Sequence, residues 1–500
     1  MTVDVPSRQL LSANRNLQAG LSYNYRDSIR IAFYNDSLAD IREESPSDYN
    51  LIYYEFLHAV AQKLSDTFRV ERVTENFGLA RVCRTVKFIP GPDGRRIRAC
   101  NASDANIVGR CIGTPIPEGL YTEDIFVCYP NDTCIFKPGN AGFAKADLGV
   151  IIRADTTPDC SGNRRALAFA GTCVRDGNTD RPLLASLTLC QSLIRGMRSN
   201  RKLGVDTLLH EILHGMGFSI SSFILFRYDN GTARISRNSF GRPTGPSNTT
   251  YMLGVPIGPR GQTSSYIVTE TAKEYARNYF GCDTALGISI ENQGGAGSAL
   301  SHVERTSFFE DTMVAIGGVD GILSNGTLAI LRDSGWYNIE FNQAGNPQWG
   351  YKDFSNNQCN MAGSLCFDET STDDHSFCFS TGNRCSYDLT SINDCGFFNR
   401  DYDVPARFQY FDDPRKGGYE FTNFCPTTAH GTVRDSCMPL DIVCDYDFCR
   451  SGRDKNFDNR GGIHGLNSRC FESSLTRIGL TSAVAPTCYE TECVATSEFS

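Results

Sequence analysis

The cysteines constrain this chain more than any other feature of its sequence. Its 500 residues include 21 of them, nine between Cys83 and Cys282 and twelve between Cys359 and Cys493. They stand at irregular spacings, without the paired C-x-x-C clusters that structural zinc sites use, so they predict disulfides. Disulfides persist in oxidising compartments, which places the chain on the secretory route, outside the cell or at its surface. Six N-x-[ST] sequons, at Asn35, Asn101, Asn131, Asn230, Asn248 and Asn325, accord with that route. The odd total predicts at least one thiol that is free or bonded to another chain. The twelve cysteines of the C-terminal third allow too many pairings to assign.

Residues 1–22 hold no apolar leader core, so no signal peptide is expected in the sequence as it stands. No apolar run reaches the length of about 18 residues that a transmembrane helix needs. The polar stretch Tyr489–Ser500 predicts no GPI-attachment tail. A hydrophobic fraction of 40% with 21% charged residues is a globular balance. The length predicts two or three packed domains. A net charge of −9 and the lack of a Lys/Arg stripe interleaved with aromatics argue against a nucleic-acid partner.

Periodicity gives a coarse order of elements. Ile29, Ile31 and Phe33 alternate as in a strand. From Ser47 to Phe68 the apolar positions follow helical spacing, with Asp48 as N-cap. His58 on that helix reads as an ordinary packed or surface imidazole. Strands follow at Ile125–Cys128, Leu148–Arg153, Ala166–Ala170 and Leu184–Cys190, separated by Gly, Pro, Asn and Asp. A second helix spans about Leu203 to Gly215, with apolar residues at Val205, Leu208, Leu209, Ile212, Leu213 and Met216. Gly215 and Gly217 then suit a left-handed C-cap. Residues 227–265 read as a long surface excursion, and Thr271–Phe280 as a short helix. After Trp336 periodicity fades into a loop-rich, disulfide-stapled region. Helix, strands, helix is an α+β order.

The chemistry concentrates at His210-Glu211-Ile212-Leu213-His214. Residues four apart on a helix share a face, so both imidazoles can reach one zinc ion. Glu211 projects beside them, where it can take a proton from water. Only seven histidines occur in the chain, which makes this spacing an improbable coincidence. A catalytic zinc wants a third protein ligand. In the usual metzincin string it follows six residues after the second His, but that position is Ile220 here, although Gly217 fits the Gly of the string. His58, His302, His375, His430 and His464 remain. His302 is the best placed, because the run Gly294-Gly295-Ala296-Gly297 before it can bring the backbone close to a metal. Met313 follows it, where metzincins place a methionine beneath the site.

On these residues the sequence resembles the leishmanolysin family of surface metalloproteases. The resemblance runs through His210-Glu211-x-x-His214-x-x-Gly217-Phe218 and Tyr279-Phe280-Gly281-Cys282-Asp283-Thr284. It continues through Gln293 to Ser298, Ser301-His302 and Met313 to Gly335-Trp336-Tyr337, Gln409-Tyr410-Phe411 and Cys425-Pro426. It implies one zinc ion per chain on His210, His214 and His302, Glu211 as catalytic base, and Met313 as the Met-turn residue. It implies a flexible arm over 1–22, a metzincin-like catalytic domain with a mixed sheet over 23–217, a central domain over 218–335, and a cysteine-rich domain over 336–500. The interval between His214 and His302 is longer than the family pattern, so 227–265 reads as an insertion. No cysteine precedes Cys83, so the inhibitory propeptide thiol of the family is not expected in this chain.

The implied function is zinc-dependent endoproteolysis of protein and peptide substrates, with a role in cell adhesion as an extension. The edge strand at Ala166–Ala170 is the implied substrate strand. Two rivals are a catalytically silent adhesin on the same scaffold and a metal-free, disulfide-stapled binding protein. Intact Glu211 and all three histidines argue against the first; stoichiometric zinc on the purified chain separates the second. The sequence leaves the oligomeric state open.

Overall fold

The computed structural model describes residues 27–73, 78–81, 85–90, 95–101, 109–129, 133–143, 145–155, 160, 166–190, 193–194, 197–198, 201–245, 249–257, 261–295, 297–316, 321–347, 349, 383–385, 392–427, 468–473 and 485–491. The arm over 1–22, His375, His430 and His464, the sequons at Asn131 and Asn248, and most of the cysteine-rich region lie outside the described residues. The fold is mixed α+β. The chain divides into two compact units. The first takes residues 1–194, 207–246 and 331–343; the second takes 195–206, 247–330 and 344–500.

The first unit begins with β1 (Ile31–Ser37). A helical stretch from Pro46 follows, with wide π-type turns over Leu51–Leu57, and ends in α1 (His58–Thr67). This is the helix that the apolar spacing predicts, but Asp48 is not its cap: Ser45 takes the cap position, and Asp48 lies in the first turn, where its carboxylate accepts from the Ser45 hydroxyl. The π-type turns rotate its buried face, which simple 3.6-residue periodicity does not anticipate. The short β2 (Phe68–Val70) comes next.

The main sheet is built from β1, β3 (Leu148–Asp155), β4 (Ala168–Arg175) and β5 (Pro182–Cys190), in the order β4-β5-β3-β1. β3 runs parallel to both β1 and β5, and β4 is an antiparallel edge strand on β5. All nine residues of β5 are buried, Ser186 and Thr188 included, as befits a central strand paired on both edges. Below the sheet, buried Asp147 accepts hydrogen bonds from the Arg30 backbone N–H, the Arg30 guanidinium and the Val73 N–H, so its charge is fully partnered.

A smaller sheet in the same unit joins Val86–Pro90, Arg96–Asn101, Ile125–Cys128 and Cys134–Lys137 in chain order. Disulfides Cys111–Cys173, Cys128–Cys134 and Cys160–Cys190 tie this unit together. Cys100, Cys282, Cys395, Cys425 and Cys488 are also disulfide-bonded.

Helix α2 (Arg201–Gly215) carries the H-E-x-x-H sequence. It ends in a Schellman motif: Phe218 N–H donates to the Leu213 carbonyl and Gly217 N–H to the His214 carbonyl. Gly217 sits at φ +112°, the left-handed position that the motif requires. Two glycines let the helix end approach its neighbours. A Cβ on Gly215 would stand 2.8 Å from the Ala185 Cβ of β5, and one on Gly217 would stand 2.7 Å from the Trp336 ring. Trp336 and Tyr337 are buried there, with Trp336 Nε1 donating to the Thr179 carbonyl and the Tyr337 hydroxyl to the Met216 carbonyl.

In the second unit, β6 (Tyr251–Pro256), β7 (Thr263–Ile267) and β8 (Ile288–Ile290) form an antiparallel sheet. Part of the segment expected to be a surface excursion is therefore a hairpin. Gly254 and Pro256 hide a β-forming run of Thr, Tyr, Leu and Val from a composition reading. Residues 227–245 of the first unit do form irregular turns, in which the Asn230 and Asn238 side chains accept local backbone N–H groups. α3 (Glu270–Phe280) and α4 (Asn325–Arg332) complete the frame. Phe309 stacks on buried Trp349, whose indole donates to the Thr306 carbonyl. In the cysteine-rich region, Cys385–Cys470 staples two hairpins around a small core with Ile392 and Cys488.

Gly217→Ala should destabilise the chain by about 1–3 kcal/mol, because a side chain there meets both left-handed strain and the Trp336 ring. Urea denaturation of the purified variant measures this, and a midpoint equal to the unmutated chain would contradict it.

Candidate metal centre

The two histidines of α2 point the same way because they are one turn apart. Their rings meet edge to face, with centroids 4.7 Å apart. The Nε2 atoms stand 3.1 Å from each other. His214 Nδ1 lies 2.6 Å from the Phe218 carbonyl oxygen. A carbonyl only accepts, so Nδ1 carries the proton and Nε2 presents a bare lone pair. The Schellman turn thus both ends the helix and fixes the tautomer of its last histidine.

His302 is oriented in the same manner. Its Nδ1 lies 2.8 Å from the Ser298 carbonyl oxygen, which again leaves Nε2 as the free donor. The glycine run sets up this contact. Gly294, at φ +78°, lies so close to the Phe421 ring that a Cβ would approach it to 2.6 Å. The turn after it closes through Ser298 N–H to the Gly295 carbonyl. His302 is buried, and its carbonyl accepts from Glu291 N–H. Its neighbour Val303 donates to the Met313 carbonyl, and Met313 is fully buried.

His210, His214 and His302 each offer a ligand atom, and these atoms all lie within 4.8 Å of one another. Two nitrogens at about 2.0–2.1 Å from one tetrahedral ion stand about 3.3 Å apart, so the 3.1 Å separation on α2 suits a shared cation. A lone pair facing a second ring nitrogen at that distance needs a proton or a cation between them. Neutral imidazoles are also the ligands that zinc prefers. Among the described residues this is the sole cluster of three or more His, Cys, Asp or Glu with converging donor atoms. His58 is elsewhere, exposed on α1 beside Tyr53 and Tyr54.

Glu211, directly after His210 on the helix, is 7% exposed. Burial pushes its carboxyl up to about 8, and a hydrogen bond from the Ala170 backbone opposes that rise. A dication nearby would draw it down further. Ala170 belongs to edge strand β4, and Thr172 of the same strand donates its hydroxyl to the Gly215 carbonyl at 2.9 Å. The strand edge and the last turn of α2 are therefore bonded together. Sequence reasoning named the three histidines, Glu211 and Met313. It named Phe218, Ser298 and Ala170 only within motifs or a strand, and not for the backbone atoms through which they act.

An α+β frame whose helix bears two imidazoles and a buried carboxylate offers the donor set of a metal site. The sequence model described as leishmanolysin matches residues 136–499, and the chain belongs to the leishmanolysin family. The chain is 27% identical over 479 residues to a leishmanolysin-like peptidase of Caenorhabditis elegans, covering 86% of this chain and 70% of that protein. It is 26% identical over 379 residues to a leishmanolysin-like peptidase of Drosophila melanogaster, covering 68% and 54%. With the leishmanolysin of Leishmania major it shares 27% identity over 327 residues, covering 62% and 48%. The chain thus spans about half the length of several curated relatives that it matches.

Thr172→Val keeps the shape of the side chain and removes its bond to the helix end. It should lower stability by about 1 kcal/mol in urea denaturation. No change would show that the strand-to-helix bond is energetically idle.

Proposed function

We propose that this chain is a zinc-dependent endopeptidase with a metzincin-like catalytic domain, in which His210, His214 and His302 hold the metal and Glu211 is the general base. The observation that carries the reading is the convergence of three imidazole donors within 4.8 Å beside a buried carboxylate. Membership of a peptidase family supports it. Met313, buried and bonded through its carbonyl to the neighbour of His302, takes the part of the Met-turn residue.

Zinc, when bound, supplies Lewis acidity to a scissile carbonyl and to water. The remaining steps belong to the protein. Glu211 accepts a proton from the attacking water on its carboxylate and returns it to the departing amine. Its place directly after His210, with a hydrogen bond from the Ala170 backbone N–H, positions it for this exchange. The Phe218 and Ser298 carbonyls hold the Nδ1 protons of His214 and His302 and keep both rings aimed through Nε2. An extended protein substrate lies along β4, an edge strand whose described pairing is with β5 on one side. The disulfides support maturation in an oxidising compartment and an extracellular or cell-surface location.

Glu211→Gln preserves shape and removes the base. Casein hydrolysis should fall about 10²–10⁴-fold while elemental analysis still finds one zinc per chain. His302→Ala should instead lose the zinc. Hydrolysis that survives Glu211→Gln would refute the role of Glu211, and a purified chain without stoichiometric zinc would refute the metal centre.

A further inference from the structure

A buried carboxylate lies two residues before Met313 in the second unit. Asp311 is 2% exposed, and its two oxygens serve three donors. Oδ1 accepts the Met313 backbone N–H at 2.6 Å and the Thr327 hydroxyl at 2.6 Å. Oδ2 accepts the Ser324 hydroxyl. Ser324 in turn accepts the N–H groups of Gly326 and Thr327 at 3.0 and 3.2 Å, so it caps the first turn of α4. Asp311 also bridges to Ile322 in parallel register, with Ile322 N–H donating to the Glu310 carbonyl and Thr312 N–H to the Ile322 carbonyl. The Met313 loop is thereby fastened at several points to the start of a helix.

The same loop holds His302 from the other side. Val303 N–H donates to the Met313 carbonyl at 2.9 Å, and Val303 bridges to Val314 in parallel register and to Ile290 of β8 in antiparallel register. Glu291 N–H reaches the His302 carbonyl at 2.9 Å, and Glu304 N–H reaches the Ser289 carbonyl at 2.9 Å. The backbone carrying His302 therefore lies between β8 and the Met313 loop. β8 is anchored by its sheet. Among the described residues the Met313 loop joins no sheet; isolated bridges to Val303 and Ile322 and the Asp311 carboxylate hold it in place.

We infer that Asp311 is a positioning residue for the third metal ligand: by fixing the Met313 loop to the capped end of α4, it sets the backbone from which His302 reaches the metal. The inference rests on the zinc reading of the histidine triad. The physical ground is satisfaction of a buried carboxyl group. Burial raises its pKa, and the hydrogen bonds from Ser324, Thr327 and the Met313 N–H oppose that rise; all three donors depend on the two acceptor oxygens of this one side chain. Asparagine can keep its oxygen against the Met313 N–H, but its amide N–H₂ then faces the Ser324 hydroxyl, whose oxygen already accepts the Gly326 and Thr327 N–H groups, so the loop has to shift to make room for a further donor.

The test uses the full chain. Zinc affinity is first measured on the unmutated protein by competition with a chelator, and the visible spectrum of its cobalt(II)-substituted form is recorded. Failure of the unmutated chain to bind one zinc overturns the metal-centre reading itself, before any variant is compared. Given that binding, Asp311→Asn should weaken zinc about 10–100-fold, the range for residues that orient metal ligands. The visible bands of its cobalt(II) form should shift in position or intensity as the ligand geometry changes, which loss of stability alone does not produce. Where Asp311→Asn does not fold, Thr327→Val decides. It keeps the carboxylate and deletes one donor, and should weaken zinc about five-fold. Zinc affinity and cobalt spectrum equal to the unmutated chain in the folded variant would overturn the inference.

Discussion

The close approach of α2 to the main sheet governs the first unit. At Gly215 the helix lies so near β5 that even a methyl group would crowd Ala185. That proximity places the Gly215 carbonyl within reach of the Thr172 hydroxyl and the Glu211 carboxylate within reach of the Ala170 backbone. It also buries Glu211, and burial raises its proton affinity. A wider helix–sheet spacing would leave the carboxylate hydrated and the edge strand unattached. Packing distance here is a chemical variable, because it sets the solvation of the one acidic group beside the imidazoles.

Backbone carbonyls do the fine positioning. Phe218 and Ser298 each accept the Nδ1 proton of a histidine four residues away in sequence, one before the carbonyl and one after it. Both carbonyls sit in turns that require glycine: Gly217 at the end of α2, and the run Gly294, Gly295 and Gly297 before His302. Left-handed glycines thus have an electronic consequence. They place an acceptor where it selects the tautomer that leaves Nε2 free. Asp311 extends this logic one step outward, to the loop that carries Met313.

Much of this could be read from the sequence, for identifiable reasons. The α2 helix follows from apolar spacing, and its left-handed end follows from Gly217. The strands at Ile125–Cys128, Leu148–Asp155 and Pro182–Cys190 follow from apolar runs bounded by turn residues. The edge strand begins at Ala168 and runs on to Arg175, farther than its alanine-rich start suggests, because Thr172, Cys173 and Val174 continue the pairing with β5. The hairpin at Tyr251–Ile267 was obscured by Gly254 and Pro256, which look like loop residues until the partner strand β8 is known.

Sequence by itself determined which residues have the chemistry: a pair of imidazoles one turn apart, a carboxylate between them, and cysteines able to pair as disulfides. These are properties of residue type and short spacing, which a helix converts directly into geometry. Tertiary structure alone decided that His302, far along the chain, brings its ring nitrogen within 4.8 Å of the other two, and that backbone atoms of Phe218, Ser298 and Ala170 orient the group. Every residue has a carbonyl and nearly every residue an N–H. Which of them faces a histidine or a carboxylate is therefore invisible until the chain has folded.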